Sequence, residues 1–203
     1  DLDTLYSFES AAATLALSLS GGVTLTDALL TSATVTTPDI EASNGVIHVI
    51  NKVLVPPGVL NVVQMAQLNP AFSTLVTAVT ATSDLAGVLS GTGPFTVFAP
   101  TDTAFGALPA GTVTGLLADP DNDLRDILLF HVVAGDVRAA DVVALSKPAS
   151  VATALTGSSF TVTDTLQITE TFISPASLVA TDVVASNGVI HVIDQVLNPS
   201  FAV

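Results

Sequence analysis

The 203-residue chain has no cysteine, no tryptophan, one tyrosine, one methionine and four basic residues: Lys52, Arg125, Arg138 and Lys147. The missing cysteine excludes a disulfide framework, a thiolate metal site and a cysteine nucleophile. It leaves the compartment open. Against four cations stand 18 acids, for a formal net charge of −14. Such a field repels phosphate backbones and anionic lipid headgroups, which excludes nucleic acid as a partner. A saline habitat would screen the self-repulsion over about 8 Å or less.

Charge of either sign is scarce, at 11% of residues, while 49% are hydrophobic and the mean hydropathy is +0.70. A membrane span still does not follow. The uncharged run between Lys52 and Asp84 contains Pro56, Pro57, Asn61, Gln64, Gln67, Asn69 and Pro70, each costly in hydrocarbon. With no basic leader and no initiating Met, the chain reads as a mature or excised product.

What the chain does have is a sentence spelled twice. "ASNGVIHVI" fills residues 42–50 and returns at residues 185–193. Identity over nine residues marks an internal repeat. Both copies follow a Thr-x-Thr-Asp segment, Thr24–Asp27 and Thr161–Asp164, with a longer connection in the second. Asn44-Gly45 and Asn187-Gly188, flanked by Val and Ile, predict β-hairpins whose Asn-Gly supplies positive φ angles. Alternation puts Val189, His191 and Ile193 on one strand face, with Ile190, Val192 and Asp194 on the other.

The intervening stretch differs in texture. Phe72, Leu75, Val76 and Val79 form a helical stripe, broken from a shorter helix by Asn69-Pro70. "GPFTVFAP" predicts a strand, and "TDTAFGAL" a short helix capped by Thr101 or Asp102. "PDNDLRDILLFHVVAG" predicts an acid-capped helix with Leu124, Ile127 and Leu128 inward, running into a strand. Helices in front and strand pairs behind make an α+β pattern.

At "TVFAPTDTAF" (residues 96–105), "LLFHVVAG" (128–135) and "NGVIHVIDQVL" (187–197) the chain strongly resembles the fasciclin domain. Phe130 stands where that family's middle block carries Tyr. The resemblance implies a wedge-shaped β-sandwich with short helices at one side. It covers residues 58–203 as a complete unit and residues 1–57 as the C-terminal half of another, joined by Pro56-Pro57-Gly58. A half sandwich cannot bury its own apolar face, and its free edges are sticky. Three explanations stand: a remnant of a cut tandem array, a small sheet docked on its neighbour, or a half completed by another chain.

The resemblance also implies function: a secreted or cell-surface adhesion module, not an enzyme, without cofactors, that binds a cell-surface or matrix protein or glycan. The alternative is a fibre subunit that self-associates through residues 1–57. A lipid or glycan binder is a further alternative, and it needs a cavity. Asp39-Ile40 and Asp182-Val183 fall where an Asp-Ile pair is assigned to integrin recognition in animal members. The bland account is a turn-capping Asp beside a core Ile or Val. Phe130 and His131 occupy the family's Tyr-His block, as adhesive surface or as a structural hydrogen bond. His48 and His191 sit mid-strand without a Gly-x-Ser-x-Gly elbow or an HExxH motif, which favours hydrogen-bonded structural histidines. Asp119, Asp121 and Asp123 alternate as calcium ligands do. Leu124 and Phe130, however, replace the Gly and Glu such a loop requires, so helix capping explains them more simply.

Overall fold

The computed structural model describes residues 1–145, 148–170 and 173–199, apart from the side chains of Ala11 and Ala12. Lys147 lies outside them. The chain divides into two compact units, Asp1–Val59 and Leu60–Val203.

The first unit is a single antiparallel sheet of five strands in sequence order. They are β1 (Leu2–Phe8), β2 (Ala11–Ser18), β3 (Thr24–Thr26), β4 (Ser32–Ala42) and β5 (Gly45–Ile50). Glu9 and Ser10, with φ of 50° and 66°, turn the first hairpin. Among the described residues the buried apolar side chains of this unit are Ala13, Leu29 and Ala33. Beside so small a core stand the backbone ladders of the sheet and an internal ion pair. The Asp27 carboxylate is fully buried and meets the Lys52 ammonium at 2.8 Å. It also accepts from the N–H groups of Leu29, Thr31 and Val55 and from the Thr31 hydroxyl. Burial would push this carboxyl up; Lys52 and the other donors outweigh it and hold it below the usual range.

The second unit begins with helices α1 (Val62–Leu68), α2 (Ser73–Ala81) and α3 (Leu85–Leu89), followed by β6 (Phe95–Pro100). Then come α4 (Asp102–Gly106), α5 (Thr112–Ala118), α6 (Arg125–Phe130), β7 (Val132–Ala134) and α7 (Ala139–Ala144). Strands β8 (Ala149–Ala152), β9 (Ser159–Val162), β10 (Gln167–Ile168), β11 (Ala176–Ala185) and β12 (Gly188–Ile193) close it. A capping box between Asn61 and Gln64 starts α1. Asn69 ends that helix and accepts from the Ala71 N–H to start the Pro70–Phe72 turn. The Thr101 hydroxyl caps its own helix, accepting from Ala104 N–H. Asp102 caps a different one: its carboxylate accepts from the Ser73 hydroxyl at 2.6 Å and the Thr74 N–H at 2.8 Å, at the start of α2.

The acid-capped helix expected from Pro120 is interrupted. Residues Pro120–Leu124 form a wide turn broken at Asn122, with φ −109° and ψ −112°, and α6 begins at Arg125. Leu124, Ile127 and Leu128 are buried as the spacing predicts.

The seven strands order as β7-β6-β12-β11-β10-β9-β8. Strands β6 and β9 stand four places apart, roughly 19 Å in a flat sheet. Yet the rings of Phe98 on β6 and Phe160 on β9 pack edge to face at 4.9 Å. The sheet therefore folds over through β11, which pairs with β10 at its start and β12 along the rest. Phe98, Phe130, Phe160, Ile168, Ile193 and Leu197 fill the fold. The unit is α+β, with a doubled sheet and short helices.

Candidate functional site

The repeated hairpin brings the sequence candidates together, once in each unit. In the second unit, β11 and β12 pair with Ala185 opposite Gly188. The turn is therefore centred on Ser186-Asn187, one residue earlier than Asn-Gly predicts, and neither of these residues has positive φ. Asn187 has tertiary work instead. Its amide oxygen accepts from Val62 N–H at 3.0 Å, and its nitrogen donates to the Leu89 and Gly91 carbonyls. One side chain thus ties the hairpin tip to α1 and to the end of α3.

Asp182 occupies a bulge of β11 with φ 56°, the left-handed region that Asp tolerates better than most residues. Its N–H donates to His191 Nδ1 at 3.3 Å, and its carboxylate accepts from Ala139 N–H at 2.9 Å. His191 Nε2 bonds the Val137 carbonyl at 2.9 Å, so Nε2 carries the proton and Nδ1 accepts. The ring is buried against Phe98. Val183 is half-buried beside it. This network locks β11, β12 and the segment before α7 together. It contains no nucleophile.

The first unit repeats the hairpin at the same register. Val35 opposes Ile50, Ile40 opposes Ile47 and Ala42 opposes Gly45, each 143 residues before its counterpart. Asp39 has the same φ of 56°, and its N–H donates to His48 Nδ1 at 3.2 Å. What differs is the cover. Val46 and Ile47 are 55% exposed and Ile40 is 41% exposed, whereas Val189 and Ile190 are buried. The Asp39 side chain is 83% exposed.

Phe130 and His131 are buried: Phe130 packs edge to face on Phe160, and His131 follows it at the end of α6. His131 Nδ1 donates to the Ile127 carbonyl at 2.8 Å, and Nε2 accepts from Leu197 N–H at 2.9 Å. Burial pushes its pKa down to about 4, only partly opposed by the Ile127 bond. Neither ring reaches the surface. An apolar crevice lined by Val63, Ala66, Val76, Val79 and Phe98 touches His131 and encloses about 40 Å³. That is room for a small alkyl group, far below the roughly 300 Å³ at which ligand pockets begin.

The three alternating acids do not converge. Asp119 accepts from the Asn122 amide at 2.6 Å, and Asp121 accepts from the Ser83 N–H at 2.8 Å. Among the described residues no group of three His, Asp or Glu side chains is placed to hold a metal ion. Among the described residues each Lys and Arg side chain is paired. Arg125 grips Asp84 with two bonds, and Arg138 grips Asp136 with two.

A sequence model described as the fasciclin domain matches residues 1–56 and 70–199. Protein sll1483 of Synechocystis sp. is 48% identical over 141 residues, 69% of this chain and 74% of that protein. The transforming growth factor-beta-induced protein ig-h3 of Sus scrofa is 36% identical over 169 residues, 81% of this chain and 23% of that protein. Among solved structures, a FAS1 domain pair from the insect cell adhesion molecule Fasciclin I superposes with a TM-score of 0.63 at 23% identity. It covers 92% of this chain, which spans 66% of that one, and at this identity the likeness carries the fold alone.

Proposed function

The chain belongs to the fasciclin domain family, and from that premise we propose that it is an extracellular adhesion module, binding partners through its surface without catalysis. The observation that carries this is the use made of the chemistry-bearing side chains. Both ring nitrogens of His131 and of His191 are spent on backbone groups, and neither ring has a carboxylate or hydroxyl partner to activate. What is left outward is contact surface. Asp39 and Ile40 stand exposed at the β4 bulge, beside Val46 and Ile47. An acidic tip next to an apolar patch suits a cell-surface or matrix protein, or a glycan. Asp182-Val183 is the same device half-covered, while Phe130 and His131 lie in the core.

In this reading residues 58–203 are one fasciclin domain and residues 1–57 the C-terminal half of a second. The common register of the two hairpins supports the assignment. The test is bead clustering with cells. Beads coated with the chain gather cells, and Asp39→Ala with Ile40→Ala cuts bound cells about tenfold. Unchanged clustering, or no clustering above an albumin control, would sink the reading. The alternative, a fibre subunit that self-associates through residues 1–57, predicts polymers that vanish when those residues are deleted.

A further inference from the structure

Gly45–Ile50 and Gly188–Ile193 are the same six residues, yet only one strand has two neighbours. Strand β12 lies between β11 and β6, while β5 ends its sheet. The pairing of β12 with β6 is parallel and unbroken, from Gly188 opposite Phe95 to Ile193 opposite Pro100. The neighbour explains three residues of the repeat. Gly188 is glycine because a Cβ there would run into the Phe95 backbone carbonyl. Asn187 bonds three backbone groups of the helical front half. His191 bonds Val137 and packs on Phe98.

In the first unit the same three residues have no such use. A Cβ at Gly45 meets nothing within 4 Å, and its φ is not positive, so nothing within residues 1–59 calls for glycine there. The Asn44 amide has no hydrogen-bond partner among the described residues. His48 makes its local bond to Asp39 N–H and stays half-exposed. The β5 edge thus keeps the fittings of a docked strand without the strand.

We propose that β5 accepts a parallel strand of the Phe-Thr-Val-Phe-Ala-Pro kind, brought by the front half of a further fasciclin unit outside these 203 residues. The inference rests on reading residues 1–57 as a back half. The occupant takes the register of β6, with its second Phe opposite His48 and its first backbone carbonyl against Gly45. Its strand is uncharged, so the −14 field does not repel it. A second copy is not the donor. Each copy carries one β6 and two Gly-Val-Ile-His-Val-Ile strands, so a copy lending β6 strips its own β12 and leaves as many bare edges as before. Backbone pairing supplies the affinity of such strand addition, and the side-chain pockets its register.

The probe is a labelled synthetic peptide with the sequence of residues 93–105, titrated into the full chain. The expected result is saturable binding of one peptide per chain, with slowed amide exchange at residues 45–50 and none at 188–193. Gly45→Ala weakens binding by about tenfold or more without shifting the chain's melting temperature. Should Gly45→Ala itself lower the melting temperature, Val49→Lys places a charge at the edge instead and must abolish binding. A peptide with Asp in place of its second Phe must fail to bind. No saturable binding of a soluble peptide, binding indifferent to both variants, or protection elsewhere would overturn the proposal. Dimerisation of the chain that depends on Gly45 would also overturn it, by assigning the edge to a second copy. None of these outcomes bears on bead clustering, which tests the adhesion reading separately.

Discussion

His131 shows how much stability one enclosed ring governs. Its folded pKa of about 4 lies below the ordinary 6.5, so between those values the unfolded chain binds the extra proton. Stability is therefore full above pH 6.5 and falls as the pH drops towards 4, by on the order of 3 kcal/mol. Urea midpoints at pH 7, 5.5 and 4 check this, and His131→Gln should flatten the slope while lowering the midpoint at pH 7. The carboxyls of Asp27, Asp84, Asp102 and Asp136 are all held below the usual value of 3.8. Their contribution survives until the pH falls under that range, so the two losses separate on the pH axis. Asp27→Ala should act at pH 7, by stranding Lys52 and freeing four donors. A cost of about 3 kcal/mol is expected, read as faster amide exchange across residues 24–55 with residues 149–199 unchanged.

Individual elements were legible in the sequence wherever the signal was local. The stripe Phe72-Leu75-Val76-Val79 gives α2, Thr101 caps α4, and both hairpins form where β-branched runs flank Asn-Gly. What escaped was set from a distance. The role of Asn187 is one case: its amide is claimed by residues 62, 89 and 91, far away in the chain. Asp182 and His191 form one unit through a bulge that no residue pattern announces. The wide turn at Pro120–Leu124 breaks a sequence that scans as helix, and there Asp121 accepts from the distant Ser83 N–H. Phe130 and His131 belonged to a recognisable block, but only the fold decides that the block faces inward. The same glycine placed twice gives a paired prediction. Gly188→Ala should cost at least about 3 kcal/mol and Gly45→Ala within about 0.5; equal shifts of melting temperature would refute the difference in cover.

At the scale of the whole molecule, charge is uncompensated. Lys52, Arg125 and Arg138 each sit in an ion pair, which leaves most of the 18 acids facing one another through water. Raising salt from about 10 to 150 mM shortens the Debye length from roughly 30 to 8 Å. The melting temperature should climb by a few degrees over that range, about 1 kcal/mol. A fall would mean that the ion pairs outweigh the repulsion. Among the described residues no helix is long and apolar enough to cross a membrane.

The idle amide of Asn44 has a consequence in time. An Asn side chain followed by glycine is open to attack by the next backbone nitrogen, which expels ammonia and leaves a succinimide that water opens to aspartate or isoaspartate. Asn187 is held out of that reaction by three hydrogen bonds, while Asn44 is not. Two identical Asn-Gly pairs in one chain should therefore age at different rates. Stored at mild alkaline pH and digested, the protein should show the acid product at residue 44 well before residue 187. Slower conversion at residue 44 in any larger assembly would record, as a chemical clock, that its edge is no longer bare.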